Sequence, residues 1–220
     1  EILTLFKYAA FGIPRAYIMM VREYQQLKTT STQSKFNKVI SDRKKYMLAE
    51  YLSIGDKLKQ YKGVIELGGE FLNNTVANLK KFNHERIDRD ENTFEKVISV
   101  GVTGIPPKAE RMIRFLIEAG LLYETDDISH GPGRKLRRFI PHIVLLLESR
   151  VLTKNRGFKS SELLEILKKK SAKHPSRPSF DSIIAKDKLS MLNLNLPPCH
   201  NCQAERMTEK QKFCHECGKP

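Results

Sequence analysis

Long apolar segments are missing from this chain of 220 residues. No apolar run approaches the roughly 20 residues that a membrane-spanning helix needs, and Lys7 interrupts the N-terminal candidate. The sequence therefore predicts neither a membrane anchor nor a secretory signal. Its 40% of hydrophobic residues and mean hydropathy of −0.43 are typical of a soluble globular chain with a sizeable core. Because the first residue is Glu1 and not methionine, we expect a processed product or the tail of a longer protein.

The signatures of an ATP-hydrolysing core are also missing. The chain has no G-x-x-x-x-G-K-[S/T] phosphate loop and no strand that ends in an acidic pair able to hold Mg²⁺. The chain therefore shows no catalytic centre of its own. ATP and Mg²⁺ are expected only if a phosphate-loop core lies upstream of Glu1.

Acidic residues are scarce in one part of the chain. The formal net charge is +14, and residues 129–180 carry thirteen Lys or Arg against three acids. Residues 51–128 carry eleven against thirteen. Such clustering of positive charge favours a polyanion, which is bound with release of its counterions, over an acidic membrane surface. A merely solvated charged face is the alternative, above all for Lys168 to Lys170.

The stretch from Ile105 to Pro141 predicts a helix followed by a β-hairpin. Pro106 and Pro107 favour a helix start, and apolar residues then recur at the spacing of one buried helical face. Gly120 stands where a left-handed cap would end the helix. Residues 121–123 and 136–140 predict two strands, and the polar segment between them, with its Gly-Pro-Gly tip, predicts an exposed loop.

This order of elements resembles a winged helix-turn-helix. In that family the helix before the hairpin enters the DNA major groove, and the hairpin, or wing, touches the backbone or the minor groove. The alternative is an ordinary helix and hairpin in a core, with solvated charges. The resemblance implies duplex DNA as the partner and the following contacts: Lys108, Arg111, Arg114, Arg134, Lys135, Arg137 and Arg138.

Helices are expected on both sides of this stretch. Apolar spacing predicts one from Tyr46 to about Tyr61, one over 71–82 after a turn at Gly68-Gly69, and one over 93–100, with a turn at 101–104. Short helices are expected at 143–147 and after Ser161. Residues 28–45 are interpreted as a polar linker, residues 88–92 as a solvated loop, and residues 171–198 as a mostly extended tether.

Residues 1–27 predict two helices that meet at the corner Gly12-Ile13-Pro14-Arg15. Here the chain resembles the lid of AAA+ ATPases, most closely the origin-recognition type, in which a lid leads into a winged helix. The resemblance implies that Arg15 is the sensor-2 arginine, which reaches the nucleotide phosphates. A guanidinium at the first turn of a helix is suited to grip phosphate oxygens. A surface arginine after a helix-breaking corner is the alternative.

All four cysteines lie within the last 22 residues, as the C-x-x-C pairs Cys199/Cys202 and Cys214/Cys217. Four thiolates from two tight turns complete a tetrahedral Zn²⁺ shell, and a shell with no open position is structural. The pattern resembles a zinc ribbon, in which Phe213 and Gly218 match the usual knuckle surroundings. Disulfides or redox pairs are the alternative. We expect reduced thiols and a cytoplasmic protein, since the rest of the chain has an intracellular character.

The sequence thus predicts a mainly α fold with lid-like helices (1–27), a linker (28–45), a winged-helix domain (46–170), a flexible tether (171–198) and a zinc ribbon (199–220). The predicted function is that of the DNA-binding C-terminal portion of an AAA+ ATPase of the origin-recognition type. The alternatives are a stand-alone winged-helix regulator and an adaptor whose ribbon binds a protein. If about six basic residues contact phosphates, log K for duplex DNA should fall with log salt at a slope near −5.

Overall fold

The computed structural model describes residues 1–28, 31–89, 96–129, 135–153, 159–168, 176–193, 198–204 and 211–220, with the backbone alone at 86–89, 127–129 and 135. Within these ranges the chain is mainly helical, as predicted, with one small sheet. No described helix is both long enough and apolar enough to cross a bilayer. The α-helices are α1 (Ile2–Ala9), α2 (Pro14–Gln26), α3 (Thr32–Lys57), α4 (Lys62–Arg89), α5 (Glu110–Glu118), α6 (Ile143–Glu148), α7 (Ser160–Lys168) and α8 (Phe180–Ile183). The 3-10 turns are Lys59–Tyr61, Pro107–Ala109 and Lys186–Leu192, and the strands are β1 (Val100–Val102), β2 (Leu122–Ser129) and β3 (Lys135–Pro141).

The expected linker at 28–45 is wrong for residues 32–45, which form the first half of α3. Ser31 caps this helix, since its hydroxyl accepts a hydrogen bond from the Ser34 N–H. Phe36, Val39 and Ile40 are buried at the i, i+3, i+4 spacing of a helical face. The Thr, Ser and Lys content of the segment had indicated a linker, but these three apolar residues decide its structure.

The expected turn at Gly68-Gly69 is also wrong, because both glycines lie inside α4. α3 and α4 form an antiparallel pair, and the Tyr51 ring of α3 lies directly against Gly68. A Cβ at Gly68 would overlap the Tyr51 hydroxyl, whereas one at Gly69 would only touch the ring at 4.0 Å. Gly68 therefore provides space for an aromatic side chain and does not break the helix.

The sheet has the strand order β1-β3-β2, with both neighbouring pairs antiparallel. Residues 96–99 are not helical and Val100–Val102 is a strand, so the helix predicted over 93–100 is wrong for its described part. Gly101 lies within β1 and not in a turn, and Leu136 and the Ser176 carbonyl approach it closely. Positive φ occurs instead at Gly104, where β1 has ended.

The hairpin of β2 and β3 is confirmed, and its first strand is longer than predicted. β2 continues to Ser129, past an irregularity in pairing between Thr125 and Ile128, so the expected loop begins later than Asp126. Residues 130–134 lie outside the described residues, as do residues 90–92 of the loop predicted at 88–92 and the last two lysines of the run 168–170. Residues 88–89 are the end of α4, so the loop prediction is wrong there, and Lys168 is the last residue of α7. Gly120, with φ of +68°, caps α5 as predicted.

The segment 176–192, here called the C-terminal strap, was expected to be an extended tether but packs on the domain. Gly101 N–H donates to the Ser176 carbonyl at 2.7 Å, and Phe180 N–H donates to the Thr103 carbonyl at 2.8 Å, so the strap runs parallel to β1 along the sheet edge. Phe180 is fully buried against Phe71 of α4, with ring centroids 5.8 Å apart. The isolated aliphatic residues of the strap thus attach it to the domain, although its Pro- and Ser-rich composition had indicated a tether.

The N-terminal helices are held against the hairpin by their corner. α2 begins at Pro14, as predicted, after Phe11 and Gly12 adopt positive φ. The Phe11 ring lies 5.9 Å from the Tyr123 ring of β2 and 5.0 Å from the His142 ring. The predicted short helices after the hairpin are confirmed as α6 and α7.

Candidate metal centre and nucleic-acid interface

The four cysteines converge on one point. The Sγ atoms of Cys199 and Cys217 are 3.7 Å apart, those of Cys202 and Cys214 are 3.5 Å apart, and all four lie within 4.8 Å of one another. A tetrahedron of sulfur atoms at about 2.3 Å from a zinc ion has edges of about 3.8 Å. The cysteines are free of disulfides, and together they form a possible metal-binding group whose donors and spacing fit zinc.

Two backbone turns of the same shape bring these sulfur atoms together. Gln203 N–H donates to the Cys199 carbonyl and Gly218 N–H donates to the Cys214 carbonyl, both at 2.9 Å. The residue after each pair has positive φ, +60° at Gln203 and +68° at Gly218. Each C-x-x-C pair is thus a tight knuckle that presents two thiols on one side.

Backbone N–H groups favour thiolates in these knuckles. Hydrogen bonds from the backbone of Cys202 and Asn201 lower the pKa of Cys199 to about 6. The backbone at Lys219 likewise lowers the pKa of Cys217. At Cys202 the backbone at Ala204 also acts to lower the pKa, but burial and the side-chain hydrogen bonds with the other three cysteines outweigh it and raise the pKa to about 12. Because a metal takes up thiolate and not thiol, the backbone N–H groups lower the cost of binding a cation at Cys199 and Cys217.

The exposed side of α5 carries the first group of predicted DNA contacts. Lys108, Arg111 and Arg114 follow one another at steps of three residues, which places them along one stripe of the 3-10 turn and α5. We call these three residues the α5 stripe. Lys108 and Arg114 are exposed and have no hydrogen-bonded or charged partner within the described ranges. They are therefore available to an anionic ligand.

Arg111 is less available than its neighbours on the stripe. Its guanidinium lies 5.5 Å from the centre of the Tyr61 ring, and its Nη1 atom is buried. The same ring contacts Phe115, with centroids 5.1 Å apart. Arg111 thus holds α5 against the 3-10 turn before α4, and its charge is partly committed inside the protein.

Arg137 forms ion pairs with two carboxylates of the protein itself. It donates to Glu110 Oε2 at 2.5 Å and to Glu124 Oε1 at 2.7 Å, and its side chain is only 26% exposed. The hydrogen bond with Glu124 is the main reason that the pKa of Arg137 rises above its ordinary value, with a smaller contribution from Glu110. Arg137 ties β3 to α5 and β2, and its role as a DNA contact stays a prediction.

The other hairpin residues predicted to contact DNA are Arg138, Arg134 and Lys135. Arg138 is half-buried on the opposite face of the sheet, where its Nε donates to Ser99 Oγ at 3.1 Å. Its Nη2 atom is buried without a hydrogen bond to the described residues. Arg134 lies outside the described residues, and Lys135 is described as the first residue of β3 without its side chain.

Arg15 is the second residue of α2 and is exposed. Among the described residues it has no hydrogen-bonded or charged partner. Ile13 and Ile18, which are 47% and 63% exposed, lie within one helical turn of it. The structure thus places Arg15 on a cationic and apolar surface, far in sequence from both the cysteines and α5.

Sequence reasoning did not identify the side chains that contact Arg111 and Arg137. Glu110 and Glu124 were not identified as partners of Arg137, although the alternation of β2 and β3 puts Glu124 and Arg137 on one face of the sheet. Tyr61 gave no signal for its contact with Arg111, because that contact joins elements 50 residues apart.

The chain was also compared with known proteins. No protein family model, curated protein or solved structure matches it.

Proposed function

We propose that this protein binds duplex DNA through a winged-helix unit formed by α5, β2 and β3. The observation that supports this most directly is the α5 stripe, where Lys108 of the 3-10 turn and Arg114 of α5 are exposed and unpaired among the described residues. The opposite side of the helix is buried. A single helix with one buried face and one cationic face, followed by a hairpin, suits insertion beside a duplex.

The ion pairs that Arg137 forms within the protein support the same proposal, with Arg137 as a residue that positions the helix and the hairpin. By joining Glu110 at the start of α5 to Glu124 on β2, Arg137 fixes the angle between the helix and the hairpin. A fixed angle lowers the entropic cost of placing both on one ligand. The phosphate contacts are assigned to Lys108 and Arg114, with Arg134 and Lys135 at the hairpin end.

The four cysteines hold a structural Zn²⁺ in this proposal. Four sulfur ligands close the coordination sphere, so the ion stabilises the terminal segment and leaves no position for a substrate. Such a site requires reduced thiols, which is consistent with a cytoplasmic protein.

Purified protein should therefore contain one zinc per chain, because the two knuckles complete one tetrathiolate shell. Removal of zinc by a chelator should abolish the fold of residues 198–220, since this segment is too small to fold without it. Metal analysis together with amide exchange of the ribbon measures both effects. Cys202→Ser should lower the metal content, whereas His200→Asn should leave it at one, and a Cys202→Ser protein with unchanged zinc would contradict the assignment.

A second candidate function is favoured by the surroundings of Arg15. An arginine in the first turn of α2 that has no partner in the described part of the chain, next to exposed Ile13 and Ile18, suits a lid that closes over a nucleotide bound by an ATPase core of the origin-recognition type. Arg15→Ala should then weaken binding of an ATP analogue by a protein extended upstream to include such a core. Unchanged binding would leave a DNA-binding regulator or a ribbon adaptor without nucleotide chemistry.

The DNA proposal is tested by charge reversal on the α5 stripe. Lys108→Glu/Arg114→Glu should weaken duplex binding at least about tenfold, because two phosphate contacts become repulsive. Fluorescence anisotropy with a labelled duplex measures this effect.

The matched control is Lys7→Glu/Lys45→Glu, which changes the net charge equally at two exposed lysines of α1 and α3. Its affinity should stay within about threefold of the wild type, since general charge attraction is weak beyond about one Debye length. Equal losses in both double variants would mean that the stripe has no special role.

A further inference from the structure

The zinc ribbon has a surface of its own that the metal site does not use. A shallow depression lies over Cys199 and Cys214 and is lined by Lys212, Phe213 and Lys219. We call these three residues the ribbon face. Phe213 is 62% exposed, and both lysines are exposed as well. An exposed aromatic ring next to two lysines is a surface suited to a nucleic-acid backbone, with the ring against sugar and the lysines at phosphates.

The ribbon face is held by a contact between the two knuckles. Lys219 Nζ donates to Asn201 Oδ1 at 3.2 Å, and Cys214 N–H donates to the Lys219 carbonyl at 2.7 Å. Lys219 is therefore positioned by both C-x-x-C pairs.

The C-terminal strap fixes the point from which the ribbon leaves the domain. Lys188 Nζ pairs with both carboxylate oxygens of Glu70 at 2.7 Å, and Met191 lies against Gly63 at the start of α4. Leu192 is buried. The chain is therefore attached to the domain as far as Leu192.

This attachment point lies close to the α5 stripe. Gly63, which touches Met191, is only two residues after Tyr61, whose ring lies under Arg111. From Asn193 to Pro198 the chain has five Cα steps, which span at most about 19 Å. One turn of B-DNA spans about 34 Å, so a duplex on the stripe passes within reach of the ribbon.

The charge of the metal site shows how the ribbon contributes. Zinc with four thiolates has a formal charge of −2, which Lys212 and Lys219 offset, so the ribbon attracts a distant polyanion only weakly. Its short attachment raises its local concentration at a duplex that α5 already holds, to the order of millimolar. Weak short-range contacts are then sufficient for the ribbon to bind that duplex.

We propose that the ribbon face is a second contact for the DNA duplex that α5 binds, on the backbone next to the stripe. This inference rests on the proposed function. It assigns Phe213 to sugar contacts and Lys212 and Lys219 to phosphates, and makes the structural zinc a support for DNA binding.

Anisotropy titrations and hydroxyl-radical footprints of the zinc-loaded full chain on a duplex of about 30 base pairs test the inference. Lys212→Glu/Lys219→Glu should weaken binding about tenfold and make the slope of log K against log salt less negative by about 2. Phe213→Ala should weaken binding about threefold to tenfold. Both variants should keep one zinc per chain and lose several protected base pairs at one end of the footprint.

The control Lys7→Glu/Lys45→Glu should keep the full footprint. If Lys108→Glu/Arg114→Glu weakens binding while the ribbon variants match the wild type in affinity and footprint, the inference is overturned and the proposed function stands. If the wild type binds no duplex, or the α5 variant binds as tightly as the wild type, the proposed function fails and the inference fails with it.

Discussion

At the scale of single residues, the contact between Tyr51 and Gly68 allows α3 and α4 to pack closely. Gly68→Ala should destabilise the protein by about 1–2 kcal/mol, because the added methyl group overlaps the Tyr51 hydroxyl by more than helix propensity gains. Gly69→Ala should instead stabilise it by about 0.5 kcal/mol, since its Cβ would make only ordinary contact. Urea denaturation of both variants measures the difference.

The double variant Tyr51→Phe/Gly68→Ala identifies the cause. The Tyr51 hydroxyl is buried and makes no hydrogen bond to the described residues, and burial raises its pKa. Its removal should therefore restore most of the stability lost in Gly68→Ala. A double variant no more stable than Gly68→Ala alone would mean that Met112, on the other side of Gly68, is the obstacle.

His142 should make the stability of the protein depend on pH. It is buried, and its Nδ1 accepts a hydrogen bond from Val144 N–H at the start of α6. Burial, with a contribution from the charge of Arg43, lowers its pKa to about 4, whereas the unfolded chain has an ordinary value near 6.5. The unfolded state therefore binds more protons between pH 6.5 and 4, and roughly 2–3 kcal/mol of stability should be lost as the pH falls through this range.

His142→Asn is the informative comparison, because asparagine also caps a helix but does not titrate. The difference in unfolding free energy between wild type and variant should be constant above pH 7 and should change below pH 6. A difference that stays constant from pH 7 to pH 4 would mean that His142 is not held neutral.

The residues that the sequence predicted well are those whose role is local. The cysteines, Gly120 and Pro14 act through spacing or backbone conformation within a few positions, and the structure confirms their placement. Arg137 could not be assigned in this way, because its partners lie 13 and 27 positions away. Whether an arginine is free or paired depends on tertiary contacts, which a charge pattern does not contain.

At the scale of elements, the C-terminal strap should contribute to global stability. Phe180→Ala should cost about 3 kcal/mol, because it empties a fully buried site next to Phe71. Lys186→Ala, at an exposed position of the same segment, should cost less than about 0.5 kcal/mol. Thermal or urea unfolding of both variants checks the prediction, and a Phe180→Ala protein as stable as the wild type would show that the segment is a loose tether.

Helices and strands differed in how well the sequence predicted them. α2 and α5 were found because their apolar spacing agrees with Pro14 at the start of α2 and Gly120 after α5, and α6 was found from its apolar run. β1 has only three residues, and its pairing with β3 and with the strap joins distant positions, so a helix was predicted there instead. The first half of α3 was missed because Thr, Ser and Lys surround its three buried apolar residues.

At the scale of the whole molecule, fewer of the 39 lysines and arginines are available to phosphates than the sequence suggests. Arg137 is paired, Arg111 is held by Tyr61, and Lys44, Lys96 and Lys188 form ion pairs with Glu148, Glu162 and Glu70. The number of phosphates contacted by α5 and the hairpin should therefore be below the six that sequence reasoning gave. With Lys108, Arg114 and one or two residues of the hairpin end, we expect a slope of log K against log salt of about −3 from α5 and the hairpin.

The salt dependence of duplex binding tests the central claim, that the α5 stripe is the site of phosphate contact. Affinity is measured between 50 and 200 mM salt for the wild type, Lys108→Glu/Arg114→Glu and Lys7→Glu/Lys45→Glu. We predict that the stripe variant makes the slope less negative by about 2, one unit for each lost contact, and that the control keeps the wild-type slope. A stripe variant with the same slope as the wild type would contradict the account.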